Sequence, residues 1–150
     1  MSEHKASVNW KRSTPDFAYE TYDRTFKSTF EGGQSFTGSA APAFMGKPEH
    51  ANPEEVLASA LAGCHMLTFL AVSAKGGFTL DSYDDTAVAV LDKNEKGKMA
   101  VLKIILRPKA VFSGAKKPTP EELQTLHQKA HANCMIGNSL LSQVVVEPQL

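Results

Sequence analysis

The sequence predicts an α+β fold whose strands pair mostly antiparallel. Three observations carry that prediction. Two segments, 52–77 and 119–134, open like helices, each with a capping residue followed by proline. Strand-like stretches lie before, between and after them. Glycine-bearing turns, Glu31-Gly32-Gly33 and "KNEKGK" (93–98), sit where hairpins would close. The resulting order is β-rich, helix, β-rich, helix, β.

Residues 4–12 ("HKASVNWKR") read as a first strand. "FAYETYDRTFKSTF" (17–30) alternates aromatic and polar residues, with Phe17, Tyr19, Phe26 and Phe30 prominent, and "QSFTGS" completes a hairpin after the turn. "SAAPAFMGKPEHANP" (39–53) carries three prolines and reads as a loop. Asn52 then caps a long helix, with Pro53 at its first position and Glu54 and Glu55 at the positive end of its dipole. Gly76-Gly77 ends it. Residues 82–114 predict two long strands around "KNEKGK", the second bulged or placed at an edge by Pro108. Thr119 and Glu122 form a capping box for the second helix, and "SQVVVEP" (142–148) is the last strand.

The first helix, "NPEEVLASALAGCHMLTFLAVSAKGG", has almost no polar face. Ala58, Ser59, Ala60, Ala62 and Gly63 are small on nearly every side. A helix apolar all round is predicted to be buried all round. One chain with one modest sheet covers one side, and a second copy would cover the other, so a homodimer sharing this helix is expected. The alternative is a central helix wrapped within one chain.

The 150 residues fit a single domain, 1–150, with a real core. Sixteen basic and sixteen acidic side chains cancel. That argues against nucleic-acid or anionic-membrane partners, which need a basic excess. The N-terminal segment has no apolar stretch of a secretory signal, and the run inside 56–74 is broken by Ser59, Gly63, His65, Thr68 and Ser73, too polar for a membrane span. With two cysteines, a cytoplasmic location is expected and a static structural disulfide is not.

Those cysteines carry the chemistry. Cys64 lies mid-helix; alone it reads as a small buried hydrophobe. Cys134 lies in "HANCMIGNS", where one helix has ended and a short turn begins. If Asn133 caps that turn, backbone amides would favour the Cys134 thiolate and lower its pKa. One buried and one helix-mouth cysteine suit a peroxidatic and resolving pair. Two rivals remain. His127, His131 and Cys134, at i, i+4 and i+7, with Cys64 or His65, would suit zinc, although the two histidines read more simply as a solvated face. A cysteine hydrolase would need a base at the thiol, but successive helical residues diverge by about 100°, which turns His65 away from Cys64.

On "NPEEVLASALAGCHM" and "AHANCMIGNSL...VVVEP" the chain resembles the OsmC/Ohr family, the osmotically inducible protein C and organic hydroperoxide resistance proteins. The resemblance covers nearly the whole chain in outline. It implies antiparallel sheets packed around a long central cysteine-bearing helix, in an intertwined homodimer with active sites at the subunit interface. It implies a thiol-dependent peroxidase for organic hydroperoxides, needing no metal or organic cofactor and restored by a dithiol, lipoyl or thioredoxin-like. Cys64 then resembles the peroxidatic cysteine and Cys134 the resolving one. Glu54 resembles the glutamate that orients a thiolate-stabilising arginine. Arg24, in "TYDRTF", is the first choice for that arginine, Arg12 the second, and Lys11 and Lys27 are weaker. Glu54 and Cys64 are ten residues apart, about 15 Å on one straight helix. One arginine cannot touch both within the same helix unless the helix is broken; one solution is that the glutamate comes from the partner subunit. Phe26, Phe30, Phe36, Phe44, Phe69 and Phe78 are candidates to line an alkyl pocket. His65 and the loop "SAAPAFMGKPEHA" depart from the better-studied branches.

Overall fold

The computed structural model describes residues 1–149, in two compact units, Met1–Val56 and Leu57 onward. In the first unit, β1 (Ala6–Asn9), β2 (Phe26–Phe30) and β3 (Ser35–Gly38) form an antiparallel sheet in that order. The strand expected over 4–12 is shorter, and 17–30 is strand only from Phe26. The reason lies in local side-chain bonds. Thr21 Oγ1 donates to Asp16 Oδ2 at 2.6 Å, and the Thr25 amide donates to Asp23 Oδ1 at 2.9 Å, so this stretch closes on itself before the ladder starts. The β2–β3 hairpin closes as expected, with Gly33 at φ 84°. Phe26 stands opposite Gly38 and its ring fills the space where a Cβ at 38 would go.

The proline-rich loop holds one 3-10 turn, Pro42–Phe44. Helix α1 runs unbroken from Pro53 to Lys75. Asn52 caps it more fully than expected. Asn52 Oδ1 accepts from the Glu55 amide and Glu55 Oε2 accepts from the Asn52 amide, both at 2.9 Å, a reciprocal box. The helix ends at Gly77, φ 75°, where the Phe78 amide reaches back to Ser73 O at 3.1 Å.

In the second unit the two predicted long strands are four. β4 (Thr79–Asp84) pairs with β7 (Lys109–Ser113), and β5 (Val88–Lys93) pairs with β6 (Met99–Leu106). Both arms break at the same level. Pro108 has no amide to give the ladder, and Asp85 Oδ1 takes the Arg107 amide at 2.7 Å instead. β8 (Gln143–Val146) then adds parallel to β6. Helix α2 (Pro120–Asn133) starts at the expected box: the Glu122 amide donates to Thr119 Oγ1 at 3.2 Å, and Glu122 Oε2 accepts from the Thr119 amide at 2.9 Å.

Within this unit α1 buries one stripe, Ala58, Leu61, His65, Phe69 and Ser73, at the i+3/i+4 spacing of a single face. Ala58 and Leu61 pack on Ile104, Leu106 and Cys134; Phe69 packs on Leu126 and Ala130. Full burial of each large side chain is worth about 1.5–3 kcal/mol. The expectation of burial on every face fails for the chain itself, and with it the single-chain wrap: Ser59, Ala60, Leu67, Ala71 and Ala74 are exposed. By length and composition alone, α1 is also long and apolar enough to cross a membrane. His65 and Ser73 within the buried stripe mark it as a core helix.

Candidate active site

The two cysteines, seventy positions apart, meet. Cys64 is half-buried on α1, Cys134 is buried where α2 ends, and their sulfurs are 2.9 Å apart with both thiols free. The Cys134 thiol donates to Cys64 Sγ. Two backbone amides follow from the turn after α2: Ile136 N–H donates to Cys64 Sγ at 3.4 Å and Gly137 N–H to Cys134 Sγ at 3.3 Å.

The expected reason for a reactive Cys134 is corrected. Asn133 is the last residue of α2 rather than the cap of a new helix, and Cys134 is the carboxyl-terminal cap, φ −73°, ψ 109°. The thiol therefore stands at the negative end of a helix dipole. Burial pushes its pKa up, and its bond to Cys64 adds to this; the Gly137 amide only partly offsets them. Cys64 Sγ thus accepts from the Cys134 thiol and the Ile136 amide, and Cys134 Sγ from the Gly137 amide.

The histidines also differ from expectation. His127 is buried, not on a solvated face, and His65 is its partner. His65 Nε2 and His127 Nδ1 are 3.2 Å apart, with the ring planes 5° from parallel. The ring centroids are 5.5 Å apart, the bond plus two ring radii, so the imidazoles meet edge to edge. His131 is exposed. Among the described residues no set of three or more metal-ligating side chains converges, so the zinc arrangement of His127, His131 and Cys134 does not form. His65 is turned to His127, which removes the hydrolase arrangement as well.

In the first unit, Arg24 is half-buried and held by its own loop. Its guanidinium donates to Tyr19 O at 2.6 Å and Tyr22 O at 3.0 Å, and lies 4.0 Å from the Tyr22 ring centroid and 5.2 Å from that of Tyr19. A cavity of about 700 Å³ opens beside it, with Trp10, Phe17, Tyr19, Tyr22 and Phe26 in its wall. Of the six phenylalanines expected to line a pocket, only Phe26 lines this one. Phe69 is core, and Phe78 lies under Lys116 Nζ, 4.4 Å from the centroid. The missed residues, Trp10 and Tyr22, had a signal: they flank the basic positions in a stretch too polar to be core. Arg12 is exposed and bonds Thr14 O and Pro15 O; Lys11 and Lys27 are exposed. Glu54 Oε2 is buried and has no hydrogen-bond partner among the described residues.

The profile of the OsmC-like protein family matches residues 46–149, both cysteines included. The chain belongs to the OsmC-like family. Peroxiredoxin OsmC of Escherichia coli K12 is 32% identical over 99 residues, 66% of this chain and 66% of that protein, just under two thirds of its length. An OsmC-like protein of unknown function from Vibrio cholerae is 43% identical with a TM-score of 0.95, over 99% of this chain and 100% of the other. An organic hydroperoxide resistance protein from Elizabethkingia anophelis shares the OsmC-like fold, with a TM-score of 0.74 at 19% identity, covering 99% and 94% of the two chains.

Proposed function

We propose that this OsmC-like chain is, over 1–150, one domain of a cytoplasmic thiol peroxidase that reduces organic hydroperoxides. The observation that carries the reading is the thiol pair itself: Cys64 and Cys134 are both free, their sulfurs are 2.9 Å apart, and burial pushes the Cys134 pKa up. The Cys64 thiolate attacks the distal peroxide oxygen. An S–O bond forms, the O–O bond breaks, and the alkoxide leaves as the alcohol after taking a proton. Cys134 then attacks the sulfenic sulfur, the S–S bond forms, and the hydroxyl leaves as water. An external dithiol, lipoyl or thioredoxin-like, returns both thiols by two exchanges and leaves oxidised.

Arg24 is the cation proposed to hold Cys64 as thiolate. Its fixed guanidinium, bonded to two carbonyls and faced by two tyrosines, supports a preorganised charge. Glu54 is proposed to orient that arginine, in its own subunit's site or the partner's. A buried carboxylate oxygen with no acceptor duty met is consistent with that role. The aromatic cavity would take the organic part of the peroxide. Stopped-flow oxidation tests the reading. Cumene hydroperoxide is expected to react about tenfold or more faster than hydrogen peroxide, the discrimination an apolar pocket gives. Slow, unselective oxidation would favour a redox sensor or binding protein of the same fold.

The active form is proposed to be a homodimer that covers the open face of α1. Gly63 supports this. A Cβ there meets nothing within 4 Å, so the chain itself gives no reason for glycine inside a helix, where it costs about 0.5–1 kcal/mol. Gly63→Leu should shift the protein from dimer to monomer in sedimentation equilibrium. An unchanged dimer would place the interface elsewhere.

A further inference from the structure

His65 and His127 do nothing in that reaction, yet both are buried polar side chains, one on each of the cysteine-bearing helices, and they bond to each other. His65 is 0% and His127 3% exposed. The two positions are tied to the two sulfurs by chain geometry. His65 follows Cys64 on α1. His127 precedes Cys134 by seven residues, about two helical turns or 10 Å along α2. α1 thus meets α2 twice, through a ring-to-ring hydrogen bond mid-helix and a sulfur-to-sulfur contact at its end.

We propose that His65 and His127 are positioning residues: their hydrogen bond sets how α2 lies along α1 and so holds Cys134 at bridging distance from Cys64. The inference rests on the disulfide step proposed above. Apolar contacts alone tolerate sliding of one helix on another, because they have no preferred direction. A hydrogen bond between two coplanar rings fixes both distance and angle. The surroundings hold the rings in that plane. Phe69, one turn after His65, lies against the face of His127 at 4.3 Å between centroids and 24° between planes. Leu126 and Ala130 close the same layer. The remaining nitrogens, His65 Nδ1 and His127 Nε2, are buried without partners among the described residues. Two imidazoles left half-satisfied make a poorer core than two leucines. Their placement is accounted for by register, not by stability. In the step they serve, the Cys134 sulfur displaces hydroxide from the Cys64 sulfenic acid, and water leaves.

The test separates position from stability. Wild type, His65→Leu/His127→Leu and His127→Asn are equilibrated with reduced and oxidised glutathione, and the Cys64–Cys134 disulfide is read by thiol trapping and mass spectrometry. Asparagine places an amide near the position of Nδ1 and keeps the bond to His65. The double-leucine variant should melt no lower than wild type, while its disulfide equilibrium falls about tenfold, ~30 mV for a two-electron couple. His127→Asn should stay within about threefold of wild type, ~0.65 kcal/mol at RT ≈ 0.59. Should the leucine pair prevent folding, His127→Leu against His127→Asn gives the same comparison. Equal disulfide equilibria in folded leucine and wild-type proteins overturn the inference, as does a wild type that forms no disulfide. Because glutathione replaces peroxide here, a shifted equilibrium in a protein inert to hydroperoxides sinks the peroxidase reading and leaves the positioning role standing.

Discussion

Cys64→Ser is expected to consume no cumene hydroperoxide, whereas Cys134→Ser consumes one equivalent and stops. The first variant lacks the nucleophile, and the buried Cys134 thiol, its pKa raised, cannot replace it. A serine hydroxyl at 64 is no substitute, because it stays protonated where a thiol ionises. The second variant keeps Cys64, its Ile136 amide at 3.4 Å and the chance to form sulfenic acid, but has no sulfur to close on. A dimedone adduct should therefore build up on Cys64 in Cys134→Ser and stay scarce in wild type. The change in the first-turnover rate for Cys64→Ser should exceed about 10³-fold, or ~4 kcal/mol of barrier. If Cys134→Ser were the dead variant in single turnover, the roles of the two cysteines would be reversed.

Acid should weaken the fold well before its carboxylates titrate. His65 and His127 are lowered from 6.5 to about 4, in both cases first by burial; His131 adds repulsion on His65, and His65 on His127. The sign follows from proton counting. Above pH 6.5 neither state protonates these rings. Between 6.5 and about 4 the unfolded chain binds protons that the folded one refuses, so stability falls as pH falls. Below about 4 both states bind them and this loss levels off. Discounted for screening, the pair accounts for on the order of 3 kcal/mol. Asp23 has its own, lower window. Its bonds from Thr25 lower its pKa to about 2, so its contribution is lost only below the ordinary aspartate value of 3.8. Urea midpoints from pH 8 to 4 should be flat and then fall below about 6.5, and the fall should vanish in His65→Leu/His127→Leu. A wild-type midpoint that does not move over that range would show that the rings are not held neutral.

What could be read from the sequence was local. Asn52-Pro53 and Thr119-Pro120 announce helices because a cap acts within one turn of itself, and Gly77 announces an end for the same reason. The cysteines were legible as residue types. Their meeting was not, since seventy residues of chain say nothing about separation in space. The break of the long hairpin depends on Asp85 reaching Arg107, twenty-two positions away, and only Pro108 hinted at it. His127 was misread for the same reason: on α2 alone it belongs to a polar helix, and only His65 on another helix makes it interior. The cap assignment at Asn133 failed because Asn133 is still the last residue of α2, its side-chain amide donating back to Lys129 O at 2.8 Å, and no new helix starts at Cys134.

The most direct measurement is the intact mass of the reduced protein after one equivalent of cumene hydroperoxide, followed by peptide mapping. The account predicts chains lighter by two hydrogens, with Cys64 and Cys134 joined within one chain. Chains that gain oxygen on Cys64 while Cys134 stays alkylatable, or disulfides only between chains, would contradict it.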